Sequence, residues 1–217
     1  MSSYRPGSEA TSPRHERKAA EPGDTGNLGY ARRSREGLRF RSHPARCLSF
    51  IVRQDTVFED APIEYRNREI RYRDAEALVS VGRDVHARDA KMHPGAASAW
   101  VAMVSAALKE GAYLQLVSAF RSTDDQARIV AKKWARGLSW VEILRVSAYP
   151  GFSEHHTGRA VDIACPSCPR LVEEFDHTPE FRWLSVNADR FAFTMSYPRG
   201  NLHGIAYEPW HWFWTSK

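Results

Sequence analysis

All seven tryptophans of this 217-residue chain lie after residue 46, and that asymmetry limits the part of the chain that can form a packed core. Residues 1–46 are rich in Gly, Pro, Ser and Arg, and they show neither a helical nor a strand period. Such a segment cannot bury enough apolar surface to offset the conformational entropy lost on ordering. We therefore predict a disordered basic tail at residues 1–46 and a folded domain at residues 47–217.

The net charge of +5 is concentrated in the predicted tail. Residues 1–46 hold ten Lys and Arg against five Asp and Glu, whereas residues 47–217 hold 21 of each kind. The sequence pI near 9.2 is thus a property of the tail, and no nucleic acid is expected as a partner of the domain. A solvated tail is favoured over one that binds an anionic surface. The chain also lacks the run of about 20 apolar residues that a membrane span requires.

Strand-like and helix-like patterns alternate after residue 46, which predicts an α+β domain. Strands are predicted at 47–54, 113–120, 159–164, 191–198 and 210–214. Helices are predicted from Leu78 to Val85, along the apolar stripe Trp100, Val101, Val104 and Leu108, from Thr123 with Gln126 as a capping box, from Ser139 with Glu142 as a second one, and from Thr178.

Potential metal ligands are densest in SEHHTGRAVD (153–162) and in EPWH (208–211). Zinc favours imidazole nitrogens and carboxylate oxygens, and a catalytic zinc site uses three protein ligands and keeps one position open. His155, Asp162 and His211 would supply such a set. Glu208 is the carboxylate available to take a proton from a bound water.

The spacing of these residues differs from the HExxH pattern, in which two histidines four apart on a helix face one metal. His155 and Asp162 are seven apart with Gly158 between them, which suits one ligand on a turn and another on the strand that follows. Glu208 and His211 are three apart, so a regular strand would place them on opposite faces. We expect an irregular backbone at Pro209 to bring both side chains to one metal.

Three segments together resemble a known family. SEHHTGRAVD resembles, at every fixed position, the S-x-H-x-x-G-x-A-x-D signature of zinc D-alanyl-D-alanine carboxypeptidases of the vancomycin-resistance (VanY-like) type, which have LD-carboxypeptidase relatives. EPWHW resembles the family's E-x-W-H segment, and SAFRS resembles its S-G-Y-R-S, with Ala119 and Phe120 as departures. The resemblance implies a single compact α+β domain with a small, mainly antiparallel sheet flanked by helices and zinc in a cleft on the sheet.

The resemblance also assigns roles to the metal-ligand cluster. It implies that His155, Asp162 and His211 bind one catalytic zinc ion and that Glu208 is the catalytic base.

Three further residues receive substrate-binding roles from the same resemblance. Arg121 would bind the terminal carboxylate of the substrate or the oxyanion that forms during attack, which suits a planar and permanently charged guanidinium. Gln126 and Ser153 occupy positions where family members contact substrate.

The expected function is that of a zinc-dependent carboxypeptidase that removes a C-terminal D-Ala, as a DD- or an LD-carboxypeptidase. Its expected substrates are peptidoglycan stem peptides or muropeptides. The alternatives are a peptidoglycan endopeptidase of phage-lysin type and a catalytically impaired zinc binding module of the same fold. The presence of both Glu208 and Arg121 favours an active enzyme, which we expect to be a monomer.

The first residues lack the apolar segment of a secretory signal, so the chain as written predicts a cytoplasmic location. A periplasmic or cell-wall location through another export route stays open.

Several residues near the motifs are expected to have structural roles. We expect His156 to face solvent and most of the alternating tryptophans at 210–214 to pack in the core, while Tyr197 either lines the cleft or packs. Cys165 and Cys168 form a CxxC without a second such pair at zinc-finger spacing, so a structural zinc site there has little support. A local disulfide and two free thiols both remain open.

Overall fold

Strands and helices alternate along residues 71–215, the part of the chain that the computed structural model describes. The strands are β1 (Val79–Arg83), β2 (Asp89–Met92), β3 (Gln115–Ser118), β4 (Ala160–Ala164), β5 (Phe193–Met195) and β6 (His211–Trp214). The α-helices are α1 (Pro94–Lys109), α2 (Thr123–Ala135), α3 (Trp140–Arg145) and α4 (Pro179–Asn187), and short 3-10 helices cover Glu154–Thr157, Glu173–His177 and Ala188–Phe191. The predicted α+β class, with a small antiparallel sheet and flanking helices, is confirmed.

The main sheet has four antiparallel strands in the order β3-β4-β6-β5. Strand β4 lies between β3 and β6, and all five of its residues are buried. Its register places Asp162 opposite Ser118 of β3 and opposite His211 of β6. Because cross-strand neighbours on an antiparallel pair lie side by side, this register brings the two distant sequence motifs together.

Helix α1 packs against the core with a face of small and large residues. Ala96, Trp100, Met103 and Ala107 are buried at the spacing expected of one helix face. The predicted stripe is therefore partly wrong, because Val101 and Leu108 are 60% and 55% exposed. The alanines allow the helix backbone to approach its neighbours closely, whereas counting large apolar residues points to the wrong face.

The helix predicted from Leu78 to Val85 is wrong, because this segment contains β1, the first strand of the β1-β2 hairpin. Val79 pairs with Met92 and Ser80 pairs with Lys91 in an antiparallel ladder. Gly82 has a φ of +95°, which a right-handed helix does not allow. The apolar spacing that suggested a helix here is too short to distinguish the two structures.

Side-chain caps begin all four α-helices of residues 71–215, and the ring of His93 is the cap of α1. The Ser139–Glu142 capping box of α3 is confirmed, and Thr178 caps α4 by accepting a hydrogen bond from the Phe181 amide. The prediction for α2 is wrong by one residue, since Ser122 is the cap and accepts from the Asp125 amide. Thr123 instead donates its backbone N–H and its hydroxyl to Asp74, at 2.9 and 2.7 Å.

Two predictions fall outside residues 71–215. The basic tail at 1–46, with its boundary to the domain, and the strand at 47–54 lie outside the described residues, so the division of the chain stays a prediction. Among the described helices, none has the length and apolar character needed to cross a membrane.

Gly158 ends the 3-10 helix Glu154–Thr157 and turns the chain into β4. Its φ is +66°, in the left-handed region that favours glycine. A Cβ at this position would lie 2.8 Å from the backbone nitrogen of His93 and 2.8 Å from Leu78 Cδ2. The glycine is therefore required both by its backbone conformation and by the close approach of a neighbouring backbone.

We expect Gly158→Ala to lower the free energy of unfolding by about 2–4 kcal/mol, because left-handed strain and steric overlap add. The matched control is Gly111→Ala, where φ is +80° and nothing lies within 4 Å of an added Cβ. This control substitution should lower the free energy of unfolding by about 1–2 kcal/mol, from backbone strain alone. Denaturant unfolding of both variants measures the difference, and equal losses would contradict the close approach.

Candidate metal centre

Three buried side chains from three separate elements converge beside the central strands of the main sheet. His155 lies in the 3-10 helix that precedes β4, Asp162 lies in the middle of β4, and His211 is the first residue of β6. One potential ligand atom from each lies within 4.8 Å of the others. Within residues 71–215 this is the one group of three or more such side chains that meets this spacing.

One ring nitrogen of His155 faces the cluster, and the other forms a hydrogen bond with the backbone. Its Nδ1–H donates to the backbone carbonyl of Ala119 at 2.6 Å, and its Nε2 lies 3.2 Å from Asp162 Oδ2. Burial lowers the pKa of His155, although the Asp162 carboxylate opposes this effect. The ring is therefore neutral near pH 7, with a lone pair on Nε2 that faces the cluster.

His211 is held between two carboxylates. Its Nδ1 lies 3.1 Å from Asp162 Oδ1, and its Nε2 lies 2.8 Å from Glu154 Oε2. Burial alone would lower its pKa, but the two carboxylates outweigh burial and raise the pKa of His211 to about 10. Burial alone would likewise raise the pKa of Asp162, yet the two histidines hold it well below its usual range.

The donor set fits a zinc ion. Two imidazole nitrogens and one carboxylate form a set that zinc favours, with room for a fourth ligand. The second nitrogen of each imidazole has a hydrogen-bond acceptor, a carbonyl for His155 and a carboxylate for His211. Such outer contacts fix ring orientation in metal sites. A cation in this position would take the place of the proton on His211 Nδ1.

Glu208 lies in a turn immediately before β6. Its backbone N–H donates to the Tyr197 carbonyl, and its carbonyl accepts from the His211 amide, each at 3.1 Å. Because β6 begins only at His211, the strand rule of opposite faces does not apply to this pair. Burial raises the pKa of Glu208 to about 7, with Asp162 adding to the rise and with His211 and Arg121 opposing it.

Arg121 follows β3 and brings a guanidinium into the same region. Its backbone N–H donates to the His155 carbonyl at 3.2 Å, and its Nη2 lies 3.4 Å from Ser153 Oγ. Burial lowers the pKa of Arg121, while Asp162 and Glu208 oppose the shift. Its buried Nε has no hydrogen-bond partner among the described residues, so a donor remains for a ligand.

Gln126 and Ser153, the other predicted substrate contacts, are both buried. Gln126 does not complete the predicted capping box of α2; its Nε2 donates to the Ala148 carbonyl at 2.6 Å. Its buried Oε1 has no partner within residues 71–215. Ser153 lies beside Arg121, as described above. Substrate contact by these residues stays a prediction.

The expectation that His156 faces solvent is wrong, because its side chain is completely buried. Its Nδ1–H donates to the Arg121 carbonyl at 2.7 Å, and its Nε2 accepts from the Gly151 amide at 3.1 Å. The segment before β1 covers this turn, with the Ala75 amide donating to the His156 carbonyl. Both histidines of the motif are thus internal, one facing the cluster and one supporting the loop that carries Arg121.

Two further residues adjoin the cluster: Glu154, to which the sequence interpretation gave no role, and Tyr197, for which lining the cleft and packing both stayed open. Glu154 is buried and contacts His211, and its position inside the SEHHTG motif is the signal that could have identified it. Tyr197 is buried with its ring centre 4.7 Å from that of His211, so it lines the site as well as packing. Tyr197 precedes Glu208 by eleven residues, and no spacing rule links the two.

The CxxC motif lies at the end of β4, apart from this cluster. Cys165 and Cys168 are free thiols whose sulfur atoms are 3.3 Å apart. Within residues 71–215, neither cysteine belongs to a group of three potential metal ligands. Burial raises the pKa of Cys168 to about 11, as expected for a structural rather than a reactive thiol.

A family model described as VanY, D-alanyl-D-alanine carboxypeptidase, matches residues 89–217, more than half of the chain. A D-alanyl-D-alanine carboxypeptidase of Enterococcus faecalis is 32% identical over 120 residues, covering 51% of this chain and 43% of that protein. The chain thus spans less than half the length of this curated relative.

Solved structures show the same fold. The LdcB LD-carboxypeptidase has a TM-score of 0.61 and 32% identity, with coverage of 66% of this chain and 70% of that one. A variant of the vancomycin-resistance D,D-pentapeptidase VanY, in complex with Zn(II), has a TM-score of 0.54 and 27% identity, with coverage of 69% and 85%.

We expect the purified chain to bind one zinc ion, and His211→Ala or Asp162→Ala to weaken zinc binding about 100-fold or more, since each removes a direct ligand. His177→Ala is the control, because that ring is 82% exposed and lies outside the cluster. Zinc content after dialysis against a chelator measures the effect. Full zinc retention by both ligand variants would contradict the assignment.

Proposed function

Because the chain belongs to the VanY family of D-alanyl-D-alanine carboxypeptidases, we propose that it is a zinc-dependent carboxypeptidase acting on peptidoglycan peptides. The observation that supports this most is the convergence of His155, Asp162 and His211 in one buried cluster. Glu208 and Arg121 both interact electrostatically with that cluster. Together they supply a metal site, a base and an anion-binding group, which peptide-bond hydrolysis requires.

The three-ligand cluster would hold the metal. Zinc in such a site lowers the pKa of water and polarises a carbonyl. His155 and Asp162 are ready to bind it without losing a proton, because the His155 lone pair and the ionised carboxylate already face inward. His211 must release the proton on Nδ1 and keep the one that Nε2 donates to Glu154.

Glu208 acts as the general base and then as the general acid. Its partly buried carboxyl has a raised pKa, which suits a group that both accepts and returns a proton near neutral pH. It takes a proton from the attacking water and delivers it to the amine of the departing residue. Its two backbone hydrogen bonds, to Tyr197 and from His211, fix the backbone that carries the carboxylate.

Arg121 selects a free C-terminus or stabilises the oxyanion. Its guanidinium keeps its charge in the buried site because Asp162 and Glu208 lie nearby. Ser153 shares this surface through its contact with Nη2, and Gln126 contributes an unsatisfied carbonyl oxygen from α2. These groups provide donors and an acceptor for the end of a peptide, which favours an active enzyme over an impaired binding module.

The leaving residue that we propose is D-Ala. One structural neighbour is a VanY protein in complex with D-alanine-D-alanine, and another is an LD-carboxypeptidase. The bond cleaved thus joins either two D-residues or an L-centre to D-Ala. We also propose that residues 47–217 act as a monomeric domain, that residues 1–46 are a basic tail, and that nucleic acid is not a partner.

We expect free D-Ala to be released from a peptidoglycan stem peptide in a reaction that a chelator abolishes and added zinc restores. The substrates are a pentapeptide ending in D-Ala-D-Ala and a tetrapeptide ending in a single D-Ala, with products identified by mass. Release from the pentapeptide alone assigns the DD reaction, and release from the tetrapeptide alone assigns the LD reaction. Cleavage only in cross-linked wall would overturn the proposal in favour of an endopeptidase, and no metal-dependent release at all would also refute it.

We expect Glu208→Gln to reduce kcat/KM by about 10²–10⁴-fold while zinc content stays unchanged, because a carboxamide cannot accept the proton from water. In the wild type, Glu208 must be ionised, so kcat/KM should fall as pH decreases through its pKa. That acid limb should lie at or below pH 7, since a bound cation lowers the pKa from the value of about 7 in the metal-free site. Measuring kcat/KM against pH tests this, and a rate that rises as pH falls toward 5 would contradict the role.

A further inference from the structure

Glu154 is a buried acid with no part in the chemistry above, and one of its two side-chain hydrogen bonds is with a candidate metal ligand, His211. Its side chain is 10% exposed, and Oε2 lies 2.8 Å from His211 Nε2. The same oxygen accepts a hydrogen bond from Ser196 Oγ at 2.7 Å. These two hydrogen bonds hold the carboxylate as an acceptor at a defined position.

The contact determines which nitrogen of His211 faces the cluster. A neutral imidazole carries one N–H and one lone pair, and the hydrogen bond made by one nitrogen decides the role of the other. With Nε2–H donated to Glu154, the lone pair lies on Nδ1, which faces Asp162 Oδ1 at 3.1 Å. Rotation of the ring about its Cβ–Cγ bond would break the contact with the carboxylate.

The two candidate histidines are oriented by different kinds of acceptor. His155 donates to a backbone carbonyl, that of Ala119, which no side-chain substitution removes. His211 donates to a carboxylate that is itself anchored by Ser196, the residue after β5. A carboxylate acceptor also makes the imidazole a stronger electron donor, since charge-assisted hydrogen bonds are stronger than neutral ones. The His211 ligand is thus the one whose orientation depends on a replaceable side chain.

We propose that Glu154 is the positioning residue of the metal centre, holding His211 with Nδ1 toward the metal. This inference rests on the proposed function, because it takes His211 as a zinc ligand. Glu154 does not touch the metal or the substrate in this assignment. It acts through the ring of His211, and Ser196 acts in turn through Glu154.

The test compares zinc affinity in Glu154→Ala, Glu154→Gln and Glu180→Gln, by competition with a chromophoric chelator. We expect Glu154→Ala to raise the zinc dissociation constant about 10–100-fold, the range typical of outer-shell partners. Glu154→Gln should restore part of the affinity, since its amide oxygen can accept from Nε2–H. Glu180 is the matched control, a buried glutamate that accepts from the Tyr113 amide and lies outside the metal cluster. Its glutamine variant should bind zinc like the wild type.

Cobalt substitution and histidine-ring NMR give readouts that a merely structural role would not change. We expect an altered cobalt absorption spectrum in Glu154→Ala and loss of the Nε2–H, Nδ1-bound form of His211. If Glu154→Ala does not fold, Ser196→Ala removes the hydroxyl that anchors Glu154 and should weaken zinc binding by a smaller factor. The inference would be overturned if Glu154→Ala bound zinc with wild-type affinity. Where Glu154→Ala does not fold, wild-type zinc affinity in Ser196→Ala would overturn it. Either result would leave the proposed function intact. A wild-type chain that binds no zinc would overturn both.

Discussion

The carboxylate of Asp162 is the group on which the rest of the site depends, because each of its oxygens faces a different imidazole. It can do so only from a central strand. β4 is paired on both sides, and its register sets Asp162 opposite His211 while the turn at Gly158 returns His155 to the same place. The sheet, the 3-10 helix and the start of β6 must therefore form together before the cluster exists.

Mutual compensation makes this concentration of buried charge tolerable. Asp162, Glu154 and Glu208 are acids, and the Arg121 guanidinium and the protonated His211 ring face them. Burying such groups singly would be costly, whereas pairing with hydrogen bonds offsets the loss of hydration. The compensation is uneven, since the pKa of Asp162 is depressed and that of Glu208 is raised to about 7. The environment of Asp162 thus suits a metal ligand, and the environment of Glu208 suits a proton carrier.

The sequence predicted the elements whose patterns are local. The strands around Leu116 and Asp162, the capping box at Ser139 and the start of α4 at Thr178 were all found where propensity and caps place them. Predictions failed where packing decides between alternatives of similar local energy. The apolar spacing near Val81 fits either a helix or a hairpin strand, and the presence of β2 as a partner decides for the strand. The buried face of α1 follows from close packing of Ala96 and Ala107 rather than from side-chain size.

The sequence by itself determined the chemistry that is available. The order and spacing of His155, Asp162, Glu208 and His211 indicate a metal site with a base, because few other roles require those residue types in two compact motifs. Only the tertiary structure decided how the groups are held. It buried His156 beneath the segment around Ala75, brought the Ala119 carbonyl to His155, and set Glu154 against the outer nitrogen of His211. Those contacts join residues up to 81 positions apart, and only strand register and burial, which no local pattern encodes, bring them within hydrogen-bond distance.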